Sequence, residues 1–389
     1  MGTMNRGIIV ATLTFATVTE FDFGAIQHLA GILRQHGISR PLLCTDKGLV
    51  DLGLIDTIRG VIPNDINATI FDGTPENPTQ KAIEAAAQMY ADNDCDGVLA
   101  VGGGSSIDLA KGVALRVTHD GDFAQYTAGV GGAALIGEVA PLVAIPTTAG
   151  TGSEVSTGAV IIMDSGEKLI LASPHLVPRT AICDPDLTLG LPPRLTAATG
   201  MDAVTHCIEA VLSPAINPPA EAVGLDGLRR ALGEGHLRKA TADGSDKDAR
   251  WNMMMASTEG ALAFTKGLGT VHSMSHACGA LPHMRLHHGT LNAIFLPTLL
   301  RFNADAPGVQ DKYTRIREAI RLDESTDLAD YIEGLNADIG LPANLAEMGV
   351  TTDDLPFLIE HAAKDVCNFS NAKPVTPDDF PTLYEQAMA

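Results

Sequence analysis

The chain has 389 residues, 45% of them hydrophobic, and a formal net charge of −21 at pH 7. That length and composition describe a globular protein with room for two domains and an ample core, and leave no place for a disordered one. The acidic balance argues against nucleic acid or an anionic membrane surface as partner, because both would repel it.

Taken in chain order, the opening "MGTMNRGIIVATLTF" carries one early Arg and a short apolar run broken by threonines. It lacks the features of a signal peptide, and no stretch is long enough to span a bilayer. Six scattered cysteines (Cys44, Cys95, Cys183, Cys207, Cys278 and Cys367) have no CxxC spacing. They read as buried free thiols in a reducing compartment, so the expected location is the cytoplasm. Short apolar runs ending in Gly, Asp or Thr follow: "RPLLCTDKG", "DGVLAVGGG", "PLVAIPTTAG" and "TGAVIIM". They alternate with stretches of helical period such as "FGAIQHLAGILRQHG" and "TQKAIEAAAQMYADN". Strand–helix alternation predicts an α/β domain with a mainly parallel sheet over residues 1–188. After "CDPDLTLGLPPRLT" the chain turns rich in Ala, Leu, Met and Glu, which predicts an all-helical domain over 189–389, with polar loops at "SPAINPPA" and "TADGSDKDAR". The cleft between two such halves is a common place for a small-molecule site.

Two loops in the first half have the composition of a dinucleotide site. In "DGVLAVGGGSSIDLAKG" a strand runs into Gly102, Gly103, Gly104 and Ser105 and then a helix. Glycines let the backbone approach a phosphate, and the amides and dipole of a helix start favour its charge. Ile107 stands where a Rossmann fingerprint has its third glycine, so a plain strand–helix turn remains an alternative. "IPTTAGTGSE" follows another strand and offers Thr147, Thr148, Thr151 and Ser153 for a ribose, phosphate or nicotinamide amide. Asp46, at the end of "LLCTDKG", suits a ribose 2′-OH and would favour NAD over NADP; a turn-forming Asp before Lys-Gly reads equally well.

The second half holds the densest chemistry: "HSMSHACGALPHMRLHHG" has five of the twelve histidines. In "GMDAVTHCIEA" Asp202 and His206 are four apart, so on a helix they face the same way with Cβ atoms roughly 5–6 Å apart. The same holds for His272 and His276. One carboxylate and two or three imidazoles make a site for a divalent cation. Glu209, roughly on the His206 face, is a further candidate ligand but is left out, because such a Glu is more often a salt-bridging or capping residue.

Together these segments resemble the iron-containing (group III) alcohol dehydrogenases of the dehydroquinate synthase-like superfamily. "TDKGL", "GGGSSIDLAKG", "PTTAGTGSEVS", "AICDPDLT", "GMDAVTHCIEA", "HSMSHACGAL", "HHGTLNAIFLP" and "NAKPVTPDDFPTLYEQA" occur in family order over nearly the whole chain. The resemblance implies that Asp202, His206, His272 and His288 bind the metal, Fe²⁺ by family with Zn²⁺ as the other candidate. It places His276 by the nicotinamide and the alcohol without ligating the metal, Gly102, Gly103, Gly104 and Ser105 on the pyrophosphate, Thr147, Thr148, Thr151 and Ser153 along the cofactor cleft, and Lys168 near the phosphates. The implied reaction is reversible, metal-assisted hydride transfer between NAD and a small primary alcohol or hydroxy acid, with its aldehyde as product. A hydroxyacid–oxoacid transhydrogenase, working without added NAD, and a dehydroquinate synthase-type lyase are the competing readings. A homodimer is the default assembly. Two departures from the family stand out. "LPHMRLHHG" leaves His283 and His287 as rivals of His288, and Lys266 and Arg285 are two cations that, placed near the pocket, would favour a substrate carboxylate.

Overall fold

The computed structural model describes residues 17–389; the N-terminal stretch read above for targeting features lies outside them. Six strands form one sheet: β1 (Val18–Phe21), β2 (Pro41–Cys44), β3 (Thr69–Phe71), β4 (Gly97–Gly102), β5 (Leu142–Pro146) and β8 (Thr180–Cys183). Their spatial order is β1-β8-β5-β4-β2-β3 and every pairing is parallel. The remaining two strands, β6 (Gly158–Ile162) and β7 (Lys168–Ala172), pair only with each other, antiparallel. The run "TGAVIIM" therefore belongs to a separate hairpin and not to the main sheet.

Alternation along the strands explains why their sequences are apolar throughout. Leu42, Val98, Ala100, Leu142 and Ala144 pack into one core, while Leu43, Leu99, Val101, Val143 and Ile145 pack into another. A parallel sheet buried on both faces reads as a continuous hydrophobic run. The first core is closed by α1 (Gln80–Asp92) and α2 (Gly104–Arg116), the second by the short helices Leu29–Gln35 and Leu54–Gly60.

The last strand ends at Cys183, and a proline-marked connection leads into α3 (Pro193–Leu212). From there the described chain is helical, including α4 (Pro218–Leu228), α5 (Lys247–Ala263), α6 (Thr270–Gly279), α7 (His288–Asn303) and α8 (Leu355–Lys364). Helix α3 is buried along nearly its whole length and shares one large core with α5, α6 and α7. Arg250, fully buried on α5, fixes the start of α3: its Nη1 donates to Thr196 Oγ1 at 2.8 Å and its Nη2 to the Leu191 carbonyl at 3.3 Å. All six cysteines are buried and free. Among the described residues, no helix is long and apolar enough to cross a membrane.

Candidate active site

The two loops read as cofactor-binding meet at the C-terminal edge of the sheet, because β4 and β5 are neighbours in register, Gly102 opposite Pro146. The Thr147 amide donates to the Gly102 carbonyl at 3.0 Å. Gly102 has φ 147°, a conformation that only glycine holds without strain. Gly103 precedes α2 with no side-chain cap, so the first amides of that helix are left to an outside acceptor. A Cβ on Gly104 would stand 2.6 Å from Thr151 Cγ2, so the glycine lets the two loops touch. Ser153 is buried and donates to Asp108 Oδ1 at 2.6 Å, which ties its loop to α2. Ser105 donates to the Glu76 carbonyl. Asp46 lies two residues after β2 and caps a short helix, its Oδ1 accepting from the Leu49 amide at 3.0 Å. Lys168, the first residue of β7, donates to Asn77 Oδ1 at 2.9 Å. Its ammonium would lie 3.0 Å from a Cβ on Gly279, at the end of α6. Lys168 thus faces the helical half beside His276. Burial pulls its amine down to about 8.

The histidine site is assembled by three helices. Asp202 and His206 come from successive turns of α3, His272 and His276 from α6, and His288 from the first residue of α7. Asp202 Oδ1 lies 3.6 Å from His206 Nε2, 3.8 Å from His272 Nε2 and 3.6 Å from His288 Nε2. These separations are too long for hydrogen bonds. The three separations that meet at Asp202 are close to the edge, about 3.5 Å, of a tetrahedron of nitrogen and oxygen donors with bonds of about 2.0–2.2 Å, and the donor atoms of Asp202, His206 and His272 all lie within 4.8 Å of one another. The donor set and its spacing therefore fit a divalent ion. The side chains of Asp202, His206 and His272 are at most 5% exposed, whereas His288 is 26% exposed, so His288 forms the side of the site nearest solvent. Burial lowers the His206 imidazole to about 4, keeping it neutral and able to ligate. Burial also acts against the Asp202 charge, but the surrounding imidazoles hold its carboxyl far below the usual range.

The glycine after His288 has a packing reason. A Cβ on Gly289 would fall 2.1 Å from the Ala198 carbonyl, so only glycine lets α7 come close enough to α3 to bring His288 to Asp202. His283 and His287 are not part of this cluster. His283 is exposed and paired with Asp354 at 3.2 Å; His287 is exposed at the N-cap of α7.

Three residues support the cluster, and two of them, Asn292 and Asp365, escaped the sequence reading. Glu209, set aside there as a salt-bridging residue, accepts from His272 Nδ1 at 2.5 Å and from the Val271 amide at 2.9 Å. A carboxylate behind a ligating histidine fixes its ring and tautomer. Asn292, four residues after His288 on α7, donates to Asp202 Oδ1 at 2.7 Å; the same i, i+4 rule used for His206 would have found it. Asp365 lies 2.8 Å from His276 Nδ1, and no local spacing points to it.

The expected cationic pair is corrected. Lys266 is buried against Glu221, 2.9 Å away, and donates to the Val211 carbonyl, so its charge is neutralised inside the helical core. Arg285 is exposed. Positive charge does reach an open cavity lined by Lys168, His276, Ala277, His361, Lys364 and Asp365, among others. Among the described residues no carboxylate pairs with Lys168, whereas Lys364 is paired with Glu360.

A nucleotide-type sheet edge joined to a helical site of one carboxylate and three imidazoles defines a metal-dependent dehydrogenase. The chain belongs to the iron-containing alcohol dehydrogenase family: residues 16–185 match the model "Iron-containing alcohol dehydrogenase" and residues 196–388 its C-terminal counterpart. It is 50% identical to the 4-hydroxybutyrate dehydrogenase of Cupriavidus necator over 97% of this chain and 100% of that one. The crystal structure of a 1,3-propanediol oxidoreductase superposes with a TM-score of 0.89 at 33% identity, covering 97% of this chain and all of that one. The sulfoacetaldehyde reductase of Bifidobacterium kashiwanohense, solved in complex with NAD⁺, superposes at 0.84 with 27% identity, covering 98% and 99%. The protein is thus a metal-dependent alcohol dehydrogenase.

Proposed function

We propose that this enzyme is NAD-linked and interconverts a short ω-hydroxy acid, of the 4-hydroxybutyrate type, with its semialdehyde. The observation that carries the substrate class is the 50% identity, over all of its length, to a 4-hydroxybutyrate dehydrogenase. Lys168 supports it as the cation on the cavity wall without a carboxylate partner, positioned beside His276.

On this reading Asp202, His206, His272 and His288 hold a ferrous ion, which supplies Lewis acidity at the substrate oxygen. The uncapped amides at the start of α2, with Gly102, Gly103, Gly104 and Ser105, receive the pyrophosphate. Thr147, Thr148 and Thr151 line the cleft, and Ser153 acts by anchoring its loop to Asp108. Asp46 keeps one oxygen on its helix cap and turns the other to a ribose hydroxyl. His276, on the cavity wall, takes the hydroxyl proton during oxidation and returns it during reduction. The same reading places a homodimer in the cytoplasm, supported by six free buried thiols.

The test is anaerobic purification with metal analysis, then NADH and NADPH formation on 4-hydroxybutyrate, 1,3-propanediol and ethanol. The expected result is one iron per chain, NAD preferred, and kcat/KM at least tenfold higher for the acid. Preference for a neutral diol overturns the hydroxy-acid assignment and leaves the enzyme class standing. Turnover of a hydroxy acid and an oxo acid without added NAD would favour transhydrogenation instead.

A further inference from the structure

His276 is oriented from three sides. Its ring stacks parallel to His288, with centroids 5.3 Å apart and planes 13° apart, and meets His272 edge-on at 6.0 Å. Its Nδ1 lies 2.8 Å from Asp365 Oδ2. Its Nε2 makes no hydrogen bond to any described residue, and the ring lines the cavity.

Asp365 is itself fixed. It sits where α8 ends and caps the short helix Val366–Ser370, its Oδ1 accepting from the Cys367 amide at 2.8 Å and from Ser273 Oγ at 3.4 Å. Its side chain is 9% exposed. The Cys367 amide and the Ser273 hydroxyl both donate to Asp365, the pattern of a carboxylate that only accepts, so Nδ1 carries the ring's proton and Nε2 presents its lone pair.

We propose that Asp365 is the positioning residue of a carboxylate–imidazole pair that makes His276 the proton acceptor of the dehydrogenase. The pair is separate from Glu209–His272, which serves an ion ligand, and it rests on His276 being the group that exchanges the proton in the reaction assigned above. In oxidation the alcohol O–H bond breaks and an Nε2–H bond forms. The carbon's hydride passes to C4 of the nicotinamide, so the alcohol is oxidised and NAD⁺ reduced. Asp365 takes no proton; it keeps the ring turned and stabilises the imidazolium. In reduction His276 returns the proton to the nascent alkoxide.

The experiment is a double-mutant cycle on the iron-loaded enzyme with its best alcohol, comparing D365N, H276A and D365N/H276A, with D365E as the conservative variant. For D365N the expected result is a kcat about 100-fold lower, an unchanged KM for NAD, full iron content and a larger primary deuterium isotope effect. An asparagine at 365 can donate to Nδ1 and so favours the proton on Nε2, the wrong tautomer. D365E should recover at least tenfold. In the H276A background D365N should cost less than twofold, because a residue acting through an imidazole has nothing to act on once the imidazole is gone. If the two losses multiply, or if D365N keeps full kcat, the proposal is overturned. If H276A alone keeps full kcat, the proton-acceptor role of His276 fails first, and that outcome is distinguishable from failure of the Asp365 link. Should D365N not fold, D365E with and without H276A gives the same comparison.

Discussion

The two halves of the site are built on opposite principles. At the sheet edge the structure works by leaving atoms out: Gly102 takes φ 147°, Gly104 allows Thr151 to touch, and the first amides of α2 lack a cap. In the helical half it works by putting polar atoms where burial is costly: one carboxylate and three imidazoles converge with little access to water. The first kind of site is broken by adding a methyl group, the second by deleting a ligand. Each half should therefore fail while the other stays intact.

The largest effect is expected from H272A or D202N. Each deletes one of the three donors that lie within 4.8 Å of one another. Iron content should fall to near zero and turnover by at least about 1,000-fold, since the Lewis acid is lost. NAD binding, read by quenching of the single tryptophan or by calorimetry, should change less than twofold. A large loss of NAD affinity would mean that the halves are not independent.

How far the sequence reveals each half follows from the same contrast. The sheet edge is written locally: a strand, a glycine run and a helix occur within seventeen residues, so "DGVLAVGGGSSIDLAKG" identifies it without the fold. The ion site is only half local. The i, i+4 pairs give Asp202 with His206 and His272 with His276, but their meeting depends on the packing of α3, α6 and α7. His288 was separable from His287 and His283 by the glycine after it, and the reason, the 2.1 Å approach to Ala198, is visible only in the packed structure. Asp365, some ninety residues from His276, carries no periodic or spacing signal. Lys266 misled because charge in a sequence says nothing about its partner, here Glu221 on a neighbouring helix. "TGAVIIM" has the pattern of a strand but not the information that its partner is the next strand.

Next in size are the changes at single supports. E209Q should weaken iron binding by about 10–100-fold, because His272 loses the carboxylate that holds its tautomer. Titration with a competing chelator measures this, with NAD affinity again unchanged. At the sheet edge, G104A pushes a methyl to 2.6 Å from Thr151 and should raise the Kd for NAD about tenfold with full iron content. G103A is the control: its methyl would meet Thr148 at 3.4 Å, an ordinary contact, so any loss of affinity there comes from the ligand's own approach to the backbone. If G104A costs no more than G103A, closeness of the two loops is not what the glycine provides.

The smallest effect tests whether burying charge belongs to the helical half alone. Beneath the Thr151 loop, Glu154 is 2% exposed and its Oε2 has no hydrogen-bond partner among the described residues. Burial raises its carboxyl to about 7, more than its backbone hydrogen bond and the nearby Lys111 lower it. The folded state thus holds a proton that the unfolded chain releases at about 4.5. Stability contributed by this group is intact below that value, declines as pH rises towards 7, and is constant above. Lys111, fully buried and donating to the Ser156 and Gly158 carbonyls, is brought to about 8 by burial, so its own contribution does not change within that window. E154Q removes the ionisation. It should leave stability at pH 5 nearly unchanged and raise it at pH 8 by about 1–3 kcal/mol, read from urea denaturation. An equal shift at both pH values would mean that the cost at Glu154 is the unpaired oxygen itself. A shift confined to pH 8 would mean that the α/β half also buries a carboxylate, one whose ionisation its surroundings oppose in spite of the nearby Lys111.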